Sequence, residues 1–360
     1  MLEFLPKDKE TFEASLARTR RRFHFKIFLT LLFLVVLLLA GFYLTRVVIE
    51  KMEMSATERV ELMGTQVEVI VNGPHARDHA RAAISLMKRL EKLLNWKNPQ
   101  SEVSLVNSMA GITAVAVSRD CFDIINRSIK LSGSLGGAFD ITIGPLMEIW
   151  DFSMKDRKAP PPKVDIIAAG NLVNYRNVEI DPELETIKLL KRGMKINLGA
   201  VGKGYAVAKA RNLLVSRGVR SAMINMGSSI ATIGRRRDGK MWRVGIRHPR
   251  NPSELLGIVA LVPGQAVSTT GDYEQYFEVE GKRYHHVIDP RTGYPAAGCQ
   301  SVTIIAGDAT VADILSTAVF VKGAVQGMRL IDSLEGVKGI IVKSDGTVIK
   351  SAGLKLEEPK

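Results

Sequence analysis

Residues 221–234 read SAMINMGSSIATIG: two short strand-like runs, SAMINMG and SIATIG, that open a long series. WRVGIR (242–247), LLGIVALV (255–262) and AVSTTG (266–271) follow. A hairpin through VEGKRYHHVI (279–288) and the run SVTIIAG (301–307) continue it. Strands also occur upstream: QVEVIVN (66–72) has strand period, and VEIDPELETIKLL (178–190) reads as two strands about a Pro-containing turn. Helices sit between these runs. The segment 76–94 places Ala83, Met87, Leu90 and Leu94 on one helical face. Another helix is expected over 122–135, and GYAVAKARNLLVSRG (204–218) reads as a helix closed by Gly218. After SVTIIAG come a helix from Ala309, a second helix and a final pair of strands. Runs of strands with helices grouped between them predict an α+β fold with a mainly antiparallel sheet.

The chain has 360 residues, 46% of them apolar, and a formal net charge of +13. No repeat or long Pro/Gly/Ser tract interrupts it after the N-terminal region, so one domain over 59–354 is expected, large enough to bury a substantial core. Two cysteines, Cys121 and Cys299, exclude a disulfide scaffold and a cysteine-rich metal site. They read as unrelated thiols, with a single bridge as the alternative. The run IFLTLLFLVVLLLAGFYL (27–44) carries no charge and is long enough to cross a bilayer. Arg18, Arg20, Arg21, Arg22 and Lys26 precede it, whereas only Arg46 and Lys51 follow nearby. The charge bias predicts a cytoplasmic tail over 1–26, a single-pass signal anchor over 27–44, a linker over 45–58 and a domain outside the cytoplasm. The basic excess is otherwise scattered, with no stripe interleaved with aromatics, so nucleic acid is not an expected partner.

Several stretches carry chemistry. INLGAVGKGYAVAKA (196–210) is Gly-rich and leads from a strand into a helix, where backbone N–H groups and Lys203 can meet a phosphate. It lacks the spacing of a Walker or dinucleotide loop, and an ordinary strand-to-helix turn explains it equally well. In ADILSTA, Asp313 and Thr317 stand four apart and share a helix face. Two oxygen donors suit Mg²⁺; a helix-end Asp beside a solvent-facing Thr is the plainer reading. GGAFDITIGPLMEIW (136–150) sets Asp140 between Phe139 and Thr142, to hold an aromatic ligand or to cap a helix. HHVIDPRTGYP (285–295) concentrates polar chemistry in one turn. Its His286 is a candidate general base, titrating near pH 6.5 if unperturbed, or else a structural residue. Asp289, Arg291 and Thr292 complete that turn, and strand alternation points His285 the opposite way from His286, so loss of His285 should be mild.

Read in order, LMGT (62–65), SEVSLVN, GGAFDITIGPLMEIW, INLGAVGKGYAV, INMGSSIATIG, WRVGIRHP, VSTTGDYEQYF, YHHVIDPRTGYP and VADILSTAVFVKG resemble the ApbE family of FAD:protein FMN transferases. The resemblance covers about Val60 to Gly346. It implies a single ApbE-like domain that binds FAD and Mg²⁺ and joins FMN to a Thr or Ser of a partner protein through a phosphoester, releasing AMP. The partner it implies is a membrane redox subunit. It further implies that Met63 lies against FAD and that Ala138, Phe139 and Asp140 form another wall. Asn197, Lys203, Ile288 and Thr292 would be further FAD contacts. The Ala200 carbonyl, Asp313 and Thr317 would be the Mg²⁺ ligands. His286 is then the base for the acceptor hydroxyl, and Asp289 orients either His286 or the metal. Two departures stand out: Asn197 and Ala208 occupy positions where the family usually has Asp, and Asn197 can still hydrogen-bond but brings no negative charge. The family's usual lipidated cysteine is also absent, its role falling to the apolar run. Rival functions are hydrolysis of FAD to FMN and AMP at the same site, and a flavin carrier without catalysis.

Overall fold

The computed structural model describes residues 7–52, 54–154 and 157–359. Two units are separate: Met1–Met54 and Ser55–Lys360. The first is one helix, α1 (Lys7–Met52). Its apolar run is exposed along its length, with Phe33, Leu38 and Phe42 among the most open side chains. This uncharged run, exposed on all sides, suggests a membrane anchor or a signal sequence.

The second unit begins with β1 (Ser55–Leu62) and β2 (Thr65–Asn72), paired from Ser55↔Asn72 to Leu62↔Thr65. The linker expected over 45–58 is therefore helix up to Met52 and strand from Ser55. SATERVEL lies at the edge of the sheet with alternate residues exposed, and that polarity hides it as a strand. Met63 and Gly64 form the two-residue turn, both at positive φ (48° and 70°), as a type I′ hairpin requires. Next come α2 (Ala76–Leu94), α3 (Glu102–Ser108), β3 (Val115–Ala116), α4 (Arg119–Ser134), α5 (Gly144–Trp150) and α6 (Lys163–Gly170). Ala83, Met87, Leu90 and Leu94 of α2 are all buried, as their spacing predicts; each large apolar side chain buried this way contributes about 1.5–3 kcal/mol. β4 (Val178–Asp181) and β5 (Thr186–Leu189) form a small sheet with β3.

α7 (Gly202–Ser216) leads to β6 (Ser221–Met226) and β7 (Ser229–Ile233), then to a separate hairpin of β8 (Trp242–Arg247) and β9 (Leu255–Leu261). β10 (Ala266–Gly271) precedes the hairpin of β11 (Tyr276–Val279) and β12 (Lys282–His285). β13 (Cys299–Ala306), α8 (Ala309–Ser333), β14 (Lys338–Lys343) and β15 (Val348–Lys350) end the fold. α8 is broken at Gly323 (φ 76°, ψ 171°) into the two helices expected there. The main sheet has eight strands in the order β1-β2-β6-β7-β10-β13-β14-β15, every neighbouring pair antiparallel.

Strand alternation then decides what each face does. Ile230 of β7 and Val267 of β10 point to one face and pack with Val244, Ile246, Val259 and Leu261 of the β8–β9 hairpin. Ser229 and Ser268 point to the other face, which α2, α7 and α8 cover. A third cluster of Leu146, Trp150, Phe152, Ile166, Phe277 and Ile288 packs beneath the β11–β12 hairpin. Cys121 and Cys299 are both buried free thiols, and burial pushes both thiol pKa values up, Cys299 to about 12.

Candidate active site

α8 presents Asp313 to the sheet at the start of β7 and the middle of β10. Its Oδ1 accepts from Ser268 Oγ (2.6 Å) and Ser229 Oγ (3.2 Å), and its Oδ2 accepts from the backbone N–H of Gly204 (2.8 Å). One turn on, Thr317 is half-buried and shares Thr270 Oγ1 with Ser316, at 3.2 and 2.8 Å. The helical spacing of four does place Asp313 and Thr317 on one side. The hydroxyl belt of Ser229, Ser268, Thr270 and Ser316 around them was not assigned from sequence. Its only trace there is the run of small hydroxylic residues in VSTTG and GSSIA.

Gly204 has to be glycine. A Cβ there would lie 2.4 Å from the Ala309 carbonyl oxygen and 2.5 Å from Asp313 Cβ. This close approach lets α7 begin against α8. In a regular first turn the Gly204 N–H would serve the Ala200 carbonyl; here it serves Asp313. The Ala200 carbonyl and the Lys203 N–H are left without hydrogen bonds among the described residues. α7 also has no side-chain cap. Its amino end therefore offers an unpaired N–H and the positive end of the helix dipole to an anion. The Lys203 side chain is half-buried and has no acidic partner among the described residues. Asp313, the Thr317 hydroxyl and the free Ala200 carbonyl are all hard oxygen donors. No group of three or more His, Cys, Asp or Glu side chains converges among the described residues. This donor set fits Mg²⁺, which commonly takes one carboxylate and completes its shell with water and substrate phosphate.

His286 follows β12 and is half-buried. Burial, and then the nearby Lys203 ammonium, push its pKa down to about 4. Its Nδ1 lies 3.3 Å from the Gln275 carbonyl, which also accepts from the His286 backbone N–H (3.0 Å). A carbonyl only accepts, so Nδ1 carries the proton and Nε2 is the basic nitrogen. The ordinary titration near pH 6.5 expected from sequence is thus displaced. His285 points the other way, as alternation predicts, but into the core. Its Nε2 donates to the Ala296 carbonyl (3.0 Å), its Nδ1 accepts from Val287 N (3.3 Å), and its ring meets Phe320 edge-on.

Among the described residues no hydrogen bond joins the Asp289 carboxylate to His286 or Asp313. That carboxylate is held by Arg291 through Nε (2.9 Å) and Nη2 (2.8 Å), and its Oδ1 also accepts from Arg291 N. The Asp-Pro-Arg-Thr-Gly turn therefore uses this Asp locally. Thr292 is exposed and its Oγ1 accepts from Tyr294 N (3.2 Å). Ile288 turns its side chain into the aromatic cluster. That cluster carries the loop: Trp150 Nε1 donates to the Gly293 carbonyl (2.8 Å). Gly293 has φ 76°, and a Cβ on it would meet Ile166 at 2.7 Å.

The remaining expected FAD contacts make no hydrogen bond to Asp313, Thr317 or His286 among the described residues. Ala138 and Phe139 are buried residues of the main core. Asp140 is buried, with Oδ1 accepting from Thr142 N and Oγ1 and Oδ2 from Tyr175 N; burial raises its pKa against those bonds. These bonds shape the 140–142 turn. That turn is tied to the Gly-rich block through Asn197 N to the Ile141 carbonyl (2.7 Å) and Gly144 N to the Lys195 carbonyl (3.1 Å). Asn197 Oδ1 accepts from Gly199 N (2.7 Å), a bond an Asp oxygen would make equally, so the Asn costs the turn nothing but the charge. Met63 sits in the β1–β2 turn, its N–H donating to Glu91 Oε1 (2.6 Å). Thr65 beside it packs on Gly227 of the β6–β7 turn.

The chain is similar to known proteins in sequence and fold. The ApbE family model matches residues 63–341. An FAD:protein FMN transferase of Klebsiella pneumoniae is 33% identical over 285 residues, which is 78% of this chain and 88% of that protein. One of Treponema pallidum is 32% identical, covering 82% and 87%. Among solved structures, an ApbE protein of Thermotoga maritima superposes with a TM-score of 0.77 at 34% identity, over 85% of this chain and all of that one. The apo flavinyl transferase ApbE of Pseudomonas stutzeri gives 0.72 at 28%, over 82% and 94%. With the family model spanning most of the domain and relatives above 30% identity along nearly its full length, this chain belongs to the ApbE family.

Proposed function

We propose that the chain is a flavin transferase that moves FMN from FAD to a Thr or Ser hydroxyl of a partner protein. The observation that carries this reading is Lys203. It is a half-buried cation one residue before an amide fixed on Asp313 and next to a histidine; among the described residues it has no acidic partner and the histidine Nε2 has no hydrogen bond. A diphosphate is the chemistry such a cation and the unpaired amide would receive. The acceptor oxygen attacks the phosphorus of the FMN half, and the bond to the AMP oxygen breaks. The hydroxyl proton passes to His286 Nε2, and AMP departs with its negative charge. Lys203 and the α7 amide offset charge that builds on the phosphoryl oxygens. Mg²⁺, held by Asp313, Thr317 and the Ala200 carbonyl, would supply further charge neutralisation on the diphosphate.

The exposed apolar helix supports a membrane anchor with residues 1–26 in the cytoplasm and the domain outside it, which is periplasmic in a cell with two membranes. A redox subunit of the same membrane is then the natural acceptor. Incubation with FAD, Mg²⁺ and an acceptor peptide tests the activity. AMP with flavinylated peptide supports the transferase. AMP with free FMN would make the enzyme a pyrophosphatase, and no AMP would make it a carrier. A reporter fused after Lys360 that works only in the cytoplasm would overturn the topology.

A further inference from the structure

The opposite end of β7 from Ser229 leads to a second concave site. The strand ends at Ile233, and the turn after it carries Arg235, Arg236 and Arg237. A cavity of about 600 Å³ opens there, with Ile70, Met223 and Trp242 as its apolar wall and Arg236, Arg237 and Arg243 as its cationic lining. Trp242 is 7% exposed, and its indole N–H is buried without an acceptor among the described residues. That wall is one acceptor short. Arg237 has no hydrogen-bond or ion-pair partner among the described residues. Arg236 pairs with Asp238 at 3.4 Å and Arg243 with Glu357 at 2.5 Å, both exposed pairs that exchange for a better anion at little cost. Asp238 also lines the cavity, but its Oδ1 accepts from Lys240 N (3.1 Å) and its other oxygen faces Arg236. Guanidinium groups over an apolar wall match a phosphate diester that carries an acyl-glycerol body.

Chain connectivity says where such a diester would come from. Ser55 lines the cavity and lies 11 positions after Leu44, the last residue of the apolar run. Eleven residues reach about 40 Å at most even when fully extended, so the chain tethers the cavity near the bilayer surface. We infer that this cavity binds the phosphate headgroup of an anionic phospholipid in the membrane that holds α1. The inference rests on the reading of α1 as an anchor.

The test uses the full chain in nanodiscs of phosphatidylcholine alone or mixed with phosphatidylglycerol, with amide hydrogen exchange read over 234–243. Exchange there should slow by about tenfold in the mixed discs, the scale expected for basic side chains at an anionic surface. The double variant Arg236→Glu, Arg237→Glu should remove the difference, while FMN transfer in detergent stays at its wild-type rate. Equal exchange in both discs, or slowing that survives the double variant, overturns the lipid site and leaves the anchor standing. Slowing of the same size from millimolar inorganic phosphate in the phosphatidylcholine discs would make this a soluble-anion site instead. A chain that fails to enter the discs overturns the anchor reading, and the lipid site with it.

Discussion

The pH profile of FMN transfer tests His286 against its surroundings. An ordinary imidazole titrates near pH 6.5, but burial and Lys203 hold this one at about 4. At about pH 5.5 a group with pKa near 4 is neutral in roughly 97% of molecules, and one at 6.5 in roughly 9%, a tenfold difference in available base. kcat/KM reports the free enzyme, so it should stay flat from about pH 8 to about 5 and halve near 4. kcat reports the FAD complex. There the diphosphate would lie against Lys203 and cancel part of its field, so the kcat inflection should sit above that of kcat/KM. Lys203→Met should move the kcat/KM inflection upward as well. It should not reach 6.5, because burial is the larger cause and remains. The assay is single-turnover transfer to an acceptor peptide at each pH, with circular dichroism on the same samples to remove acid unfolding. That control matters, because the unfolded chain takes up a proton that folded His286 refuses. Stability therefore falls as pH drops from about 6.5 towards 4. A kcat/KM half-point near 6.5 would refute the desolvated base, and an unchanged rate in His286→Ala would end its role as base. If it is the base, that variant should lose about 10²-fold or more in transfer with FAD affinity nearly intact.

Asp313→Asn keeps the shape of the side chain and removes its charge; transfer should fall on the order of 10²–10³-fold, and chelation of wild type should reproduce the loss with Mg²⁺ reversing it. Full activity of that variant in chelator would take Asp313 and Thr317 out of the site. Lys203→Ala should weaken FAD binding about tenfold or more, read by flavin fluorescence, yet change stability by under about 0.5 kcal/mol because no ion pair is lost; an unchanged Kd would count against the diphosphate pose. Gly204→Ala must push a Cβ into the Ala309 carbonyl and Asp313 Cβ, so calorimetry should show a loss of about 1–3 kcal/mol together with reduced transfer, and a wild-type Tm would show that α7 and α8 part freely. His285→Ala, mild if strand alternation alone decided the matter, should cost roughly 2–5 kcal/mol. It opens a hole against Phe320 and strands the Ala296 and Val287 backbone groups. A Tm close to wild type would refute that.

What the sequence revealed and what it hid divide along one physical line. Periodicity is local, so α2 with its buried Met87 and Leu90, the helix closed by Gly218 and the Asp313–Thr317 pair are readable from spacing alone. The hydroxyls around Asp313 are not. Ser229 and Ser268 are ordinary strand residues until the register that sets them opposite one another is known, and that register joins segments far apart in the chain. The same holds for the pKa of His286, which depends on a lysine placed by α7, and for Gly204, whose necessity is visible only once α8 lies across it. Asp289 is a different case. Its partner Arg291 stands two residues away, and an Asp that opens a Pro-containing turn commonly spends its oxygens on that turn. β1 is hidden in the sequence because an edge strand with one open face looks polar, as a linker does. A side chain's chemistry can thus be read from sequence where its partners lie within a helical turn or a strand step. Beyond that, it is the strand register and the approach of α7 to α8 that turn Asp313, Lys203 and His286 from three separate motifs into one candidate site.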